Sequence, residues 1–242
     1  YCWANDESHY DNFKLSCEGI QVDLMAFLEG PYTEGAMTTD LKDSNILPLS
    51  QPYSGLPWEF IDPVNLDTLP EAGLVDWVLV ELRDAPDAAS ALPSTMAGRK
   101  AAFILDDGSV VDLNGSSPLR FTLDLQDQPF AVIYHRNHLP VMSANPLTLS
   151  GGLYQYDFTT AAGQAHGTGA QKDLGGVVYG LFAGDFNADG TIDSDDRSME
   201  WNPAAGTSGY LMTDGNLNGQ ADNLDKNDQW LPNEGESAQV PE

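Results

Sequence analysis

The chain of 242 residues carries 10 Lys plus Arg against 37 Asp plus Glu, a net charge of −27, and is 41% hydrophobic and 10% aromatic. That apolar content suffices for the core of one large or two small domains. The charge argues against nucleic acid and anionic membrane surfaces as partners and makes cations the natural counterpart. No apolar run approaches the roughly 20 residues needed to cross a bilayer, which predicts no direct membrane insertion.

The chain opens on Tyr1 rather than Met, with no basic-then-apolar leader, as a processed product or excised piece would. Residues 1–19 form a polar N-terminal segment whose Cys2 and Cys17 are the chain's two cysteines. A local disulfide is the expectation, because paired cysteines in an acidic, lysine-poor chain suit an oxidising exterior. Zinc is poorly served: there is no CxxC spacing, and His9 is the one imidazole nearby.

From Ile20 the pattern is mainly β. In IQVDLMAFLE, apolar Ile20, Val22, Leu24, Ala26 and Leu28 alternate with polar positions, as in a strand with one buried face. VDWVLVELR (75–83) is apolar on both faces and predicts a central strand. The stretch from 101 to 113 predicts two strands around Asp107-Gly108, a pair suited to a type I′ turn. RFTLDL and FAVIYHR add two more strands, and the segment around 84–101 a short helix. Short strands joined by Pro-, Gly- and Ser-rich connectors predict an antiparallel β-sandwich over 20–145. Residues 146–180 read as a connecting segment holding one strand, YQYDFTT, and a glycine-rich loop, with a boundary near Gly180.

The C-terminal region 181–242 is a repeat. Shifted by 29 residues, GDFNADGTIDSDDRSMEWNP aligns with TDGNLNGQADNLDKNDQWLP, so that Gly190 meets Gly219, Asp193 meets Asp222, Asp196 meets Asp225, Arg197 meets Lys226 and Trp201 meets Trp230. Each copy places oxygen side chains at loop positions 1, 3, 5, 9 and 12 and glycine at 6, the spacing of an EF-hand-type calcium loop. Calcium takes about 6 to 8 oxygens, so the chain must wrap the ion and point alternate residues inward. The first set is Asp185, Asn187, Asp189, the Thr191 carbonyl, Asp193 (directly or through water) and Asp196. The second is Asp214, Asn216, Asn218, the Gln220 carbonyl, Asp222 and Asp225. Two calcium ions are therefore the expected cofactors, the second bound more weakly because Asn218 replaces a carboxylate. Trp201 and Trp230 are read as the packing core that joins the two halves.

Aspartate rather than glutamate at position 12, and no entering helix before Asp185, make this region resemble the tandem loop-helix repeat of dockerins. Across most of the chain, phrases including FLEGPY, ILPLSQPY, VDWVLVELRDA, AAFILDDGSVVDLNGSSPLRF and VIYHRNHLPVMSANPL, in this order, resemble a hemagglutinin-like or adhesin-like module of Bacteroidota surface proteins. That resemblance implies export by the type IX system, display at the cell surface, and no carried-over catalytic residues.

His135 and His138 would point to opposite faces of one strand, which is wrong for a shared ion unless the strand ends between them. No GxSxG, HExxH or phosphate-cradling loop occurs. Trp58 and Tyr53, in a proline-rich loop, are the candidate sugar faces, whereas Trp77 belongs in the core. The expected product is a secreted or cell-surface, calcium-stabilised, non-enzymatic module for adhesion or assembly, its partners other extracellular protein domains. Carbohydrate binding is the alternative and a polysaccharide-acting enzyme a distant third.

Overall fold

The computed structural model describes residues 19–62 and 64–242; Cys2 and Cys17, with their expected disulfide, lie outside them. The described chain is mainly β, but the expected two-sheet antiparallel sandwich is corrected to one curled, nine-stranded mixed sheet. Its longest strand, β4 (Leu74–Ala85), lies between β5 (Met96–Leu105) and β8 (Gln128–Tyr134). Every residue from Leu74 to Arg83 on it is buried, which is why its sequence is apolar on both faces. Trp77 is fully buried and tilted against Phe103 of β5, 4.1 Å between ring centroids.

β1 (Ile20–Met25) buries Val22 and Leu24 on one face, as its alternation predicts. One of its edges is split between β6 (Ser109–Val111), which meets Leu24 and Met25, and β7 (Leu119–Phe121), which meets Ile20 to Val22. β9 (Val141–Met142) continues the sheet beyond β8. Two small antiparallel pairs stand outside it, β2 (Tyr32–Thr33) with β3 (Ala36–Met37), and β12 (Lys172–Gly175) with β13 (Val178–Gly180). A one-turn helix α1 (Asp40–Asp43) packs against β4.

Three further expectations are corrected. The segment 146–180 is not merely a connector: β10 (Thr148–Ser150) and β11 (Leu153–Asp157) belong to the main sheet, and β11 runs parallel to β1 from Gln21↔Leu153 to Met25↔Asp157. That parallel pair makes the sheet mixed. Asp107-Gly108 is not a type I′ turn, because Gly108 has φ +88° while Asp107 is not left-handed. A three-residue loop with glycine in the left-handed position joins β5 to β6 instead. The two-residue turn with φ positive at both positions is Gly151-Gly152, at +60° and +86°, between β10 and β11. The expected helix in 84–101 resolves into two 3₁₀ turns, Ala88–Ser90 and Pro93–Thr95, which lead into β5.

Residues 181–242 pack on the ends of these strands. Leu181 bridges Leu28 just past β1, the Leu139 amide donates to the Phe182 carbonyl, and the Gly184 amide to the Asn137 carbonyl. Phe182, Phe186, Ile192, Trp201 and Trp230 form a small apolar cluster with Leu139. Among the described residues, no helix is long and apolar enough to cross a membrane.

Candidate metal centre

The two acidic loops fold alike, hydrogen bond by hydrogen bond. Asp185 accepts from the amides of Asp189 and Gly190, and Asp214, 29 residues on, from those of Asn218 and Gly219, all at 2.8 to 3.1 Å. Asp196 takes the amides of Phe186 and Asn187 on one oxygen and of Asp193 on the other; Asp225 does the same with Gly215, Asn216 and Asp222. Asn187 and Asn216 each accept from the amide two residues ahead, as do Asp189 and Asn218, and Asp193 and Asp222. The backbone repeats too: Ala188 and Leu217 have φ +58° and +60°, and Gly190 and Gly219 +86° and +85°. Glycine at position 6 is thus set by a left-handed bend that L side chains rarely adopt.

The local sequence explains each step. Short Asx side chains at alternate positions cap the amides ahead of them and keep the loop turning. The Gly190 and Ile192 carbonyls accept from Ala238 and Gly235, so alternation in extended backbone leaves the Thr191 carbonyl for the loop side; Gln220 stands likewise between Gly219 and Ala221. Asp196 opens a wide helical turn, Asp196–Trp201, that runs into α2 (Asn202–Ala204). Asp225 opens the equivalent turn, Asp225–Trp230, before α3 (Leu231–Asn233).

Four carboxylates in these loops, Asp185, Asp196, Asp214 and Asp225, are all but completely buried. Burial first, and then the negative charge of Asp196, push Asp185 up to about 7. Burial raises Asp214 to about 7 against the opposing pull of Arg136, and Asp225 adds to the rise. Asp196 and Asp225 rise to about 6, chiefly by burial. A cation held among them would reverse this, because opposite charge favours the ionised form. The donors are carboxylate, amide and carbonyl oxygens, which suit a hard, oxygen-seeking ion rather than zinc or copper. Among the described residues no three His, Cys, Asp or Glu side chains gather into a ready ligand group. The donors that stand together are carboxylates interleaved with amides and backbone carbonyls, most clearly in the second loop, where Asn216 and Asn218 occupy positions 3 and 5.

A buried polar network beside the second loop went unrecognised in the sequence. Asp76 accepts from Arg136 Nε at 2.9 Å, from the Tyr210 hydroxyl at 2.6 Å and from His135 Nε2 at 3.2 Å. Burial acts to raise Asp76, but Arg136, His135 and Tyr210 outweigh it and hold the carboxyl at about 2. Arg136 lies 4.3 Å over the Tyr210 ring and donates to the Leu211 carbonyl, while Asn137 Nδ2 donates to the carbonyls of Met212 and Asp214. The signals were there: an aspartate inside a doubly apolar strand, and His-Arg-Asn-His directly after another.

β8 ends at Tyr134, before both histidines, so His135 and His138 converge rather than diverge, with their Nδ1 atoms 3.0 Å apart. One tautomer set fits all contacts. His135 donates from Nε2 to Asp76; His138 Nε2 accepts from the Gly30 amide, leaving its Nδ1–H for Asn137 Oδ1 and His135. Burial lowers both pKa values, that of His138 further because His135 and Arg136 add to the fall there while Asp76 opposes it at His135, a direction that agrees with the neutral tautomers these contacts require.

Both candidate sugar faces lie inward. Tyr53 is fully buried, its hydroxyl donating to the Trp77 carbonyl at 2.7 Å, and Trp58 is only 8% exposed, packed edge-on against Tyr53. An open loop was expected, but it folds onto β4. No family model matches this chain, and no curated protein or solved structure matches it either.

Proposed function

We propose that residues 185–238 bind two calcium ions and that calcium completes a dockerin-like module closing this chain. The observation that carries the proposal is the reproduction, at a 29-residue offset, of the amide-to-side-chain hydrogen bonds that wrap each loop around its buried carboxylates. Carboxylates driven upward by burial are costly in a folded protein unless a cation neutralises them. Calcium binding is then folding free energy for a segment whose own apolar cluster is small.

The chain as a whole is proposed to be a module of a larger secreted or surface-displayed protein, of the Bacteroidota adhesin-like kind, serving adhesion or assembly with other extracellular domains. An excess of 27 negative charges and a module that ions hold together suit calcium-rich surroundings outside the cell. The test is thermal melting with calcium and with chelator: a fall on chelation supports the module, and superimposable curves refute it.

A second reading, carbohydrate binding, has one observation in its favour. A cleft of about 460 Å³ lies between the first loop and the sheet, with Arg99, Tyr134, Asp185 and Asp189 in its wall. Specific glycan binding lost on Arg99→Ala would favour that reading, and an empty glycan array would end it.

A further inference from the structure

Each half of the tandem repeat is completed by the other half. Trp230, which belongs to the second copy, donates from Nε1 to the carbonyl of Asp193, position 9 of the first loop, at 2.7 Å. Trp201, from the first copy, donates to the carbonyl of Asp222, position 9 of the second loop, at 3.0 Å. The basic residue following position 12 crosses as well. Arg197 lies 5.0 Å over the Trp230 ring, and Lys226 4.6 Å over the Trp201 ring.

The backbone makes the same exchange. Gly235 and Glu236, beyond the second helix, pair with Ile192 of the first loop, and Ala238 donates to Gly190. Gly206 and Thr207, beyond the first helix, pair with Ala221 of the second loop, and Gly209 donates to Gly219. The partner residues 206, 207 and 209 stand 29 positions before 235, 236 and 238, the repeat offset itself. Each loop is held by position 12 of its own copy and, through these backbone pairs, by the segment beyond the other copy's helix.

We infer that Trp201 and Trp230 are crossed positioning residues: each indole sets the ligand geometry of the opposite calcium loop, so the two sites bind calcium cooperatively. This rests on the calcium reading above. Position 9 is where the chain must turn back over the ion, and the Asp193 amide is already tied to Asp196 Oδ2 at 2.7 Å, with Asp222 tied to Asp225 in the same way. The indole N–H fixes the other side of that residue through its carbonyl. An ion that orders one loop orders its helix, and with it the tryptophan that holds the other loop; linkage makes the effect reciprocal.

The experiment is calorimetric titration with calcium in backgrounds that isolate one loop. Asp225→Ala leaves the first loop and Asp196→Ala the second; Trp201→Phe or Trp230→Phe, which keep the ring and remove the N–H, are added to each. In the first-loop background Trp230→Phe weakens binding about three- to tenfold, the worth of one hydrogen bond, while Trp201→Phe changes it less than about twofold. The pattern reverses in the second-loop background. Each single-loop protein also binds more weakly than the same loop in wild type, by about fivefold or more. Phe variants that weaken their own loop, or that act on both loops alike, overturn the inference while leaving calcium binding intact. Wild type that takes up no calcium overturns both.

Discussion

Asp76 anchors the network that joins the sheet to the second loop, and replacing it by asparagine isolates its charge at nearly constant shape. The substitution removes the carboxylate paired with Arg136, whose side chain is 1% exposed, and leaves Asp214, outside ion-pair distance, as the carboxylate still acting on it. Breaking one side of a buried ion pair costs about 3 to 5 kcal/mol. An independent figure comes from the carboxyl, which is held at about 2 against an ordinary 3.8. Nearly two pKa units at about 1.4 kcal/mol each give about 2 to 3 kcal/mol. Taking about 3 kcal/mol, and about 2 to 4 °C per kcal/mol for a chain of this size, the melting temperature falls by about 6 to 12 °C at pH 7.

The sign with pH follows from linkage. A carboxyl whose folded pKa is depressed stabilises the fold above its unfolded pKa and loses that contribution as pH falls through the folded value. The gap between wild type and Asp76→Asn is therefore full above about pH 4 and shrinks between about 4 and 2. Carboxylates that do not touch this network contribute alike to both proteins and drop out of the difference. Scanning calorimetry on both proteins at pH 7, 4 and 2 measures it. A neutral-pH gap under about 1 °C, or one that widens toward pH 2, refutes the assignment of Asp76 as the ionised partner of Arg136.

Three further outcomes are expected. Chelation of calcium held at about a hundredfold above its dissociation constant removes about 2.7 kcal/mol per site, so two sites lower the melting temperature by about 10 to 20 °C; calorimetry with and without chelator measures this. In the calcium-free protein, Asp185 and Asp214 at about 7 stabilise the fold when protonated and cost stability as pH rises through 7. Calcium-free protein therefore melts higher at pH 5 than at pH 8, while calcium-loaded protein shows the reverse as protons compete with the ion; two identical pH trends would sink the expectation. Gly30→Ala drives a methyl group into the Gly215 carbonyl where the loop after β1 meets the second acidic loop. A cost of about 1 to 3 kcal/mol and weaker binding at the second site than at the first are expected, measured by urea unfolding and calcium titration.

The acidic loops were legible because their demands are local: alternating oxygens and one glycine within twelve residues specify a turn without reference to the rest of the chain. The apolar alternation of β1 and the doubly apolar β4 were legible for the same reason, since burial on one or both faces is written along the strand. What was not legible depends on pairing at long range. Nothing in LYQYD announces that it runs parallel to β1 across more than a hundred intervening residues, so the sheet was read as antiparallel. Trp58 and Tyr53 sit among prolines and glycines, which reads as open loop until that loop is seen to fold over Trp77. The histidines were placed on opposite faces because the end of β8 was set a few residues late; one strand boundary turned a divergent pair into a contacting one. The crossing of the two repeats was invisible for another reason, since an alignment of two copies shows which residues correspond and not which copy they serve.

The most direct measurement is calorimetric titration of calcium into the chelator-stripped chain, with Asp196→Ala and Asp225→Ala beside wild type. The account predicts two ions per wild-type chain and one in each variant. Absence of binding in wild type, or variants that still take up two ions, would contradict it.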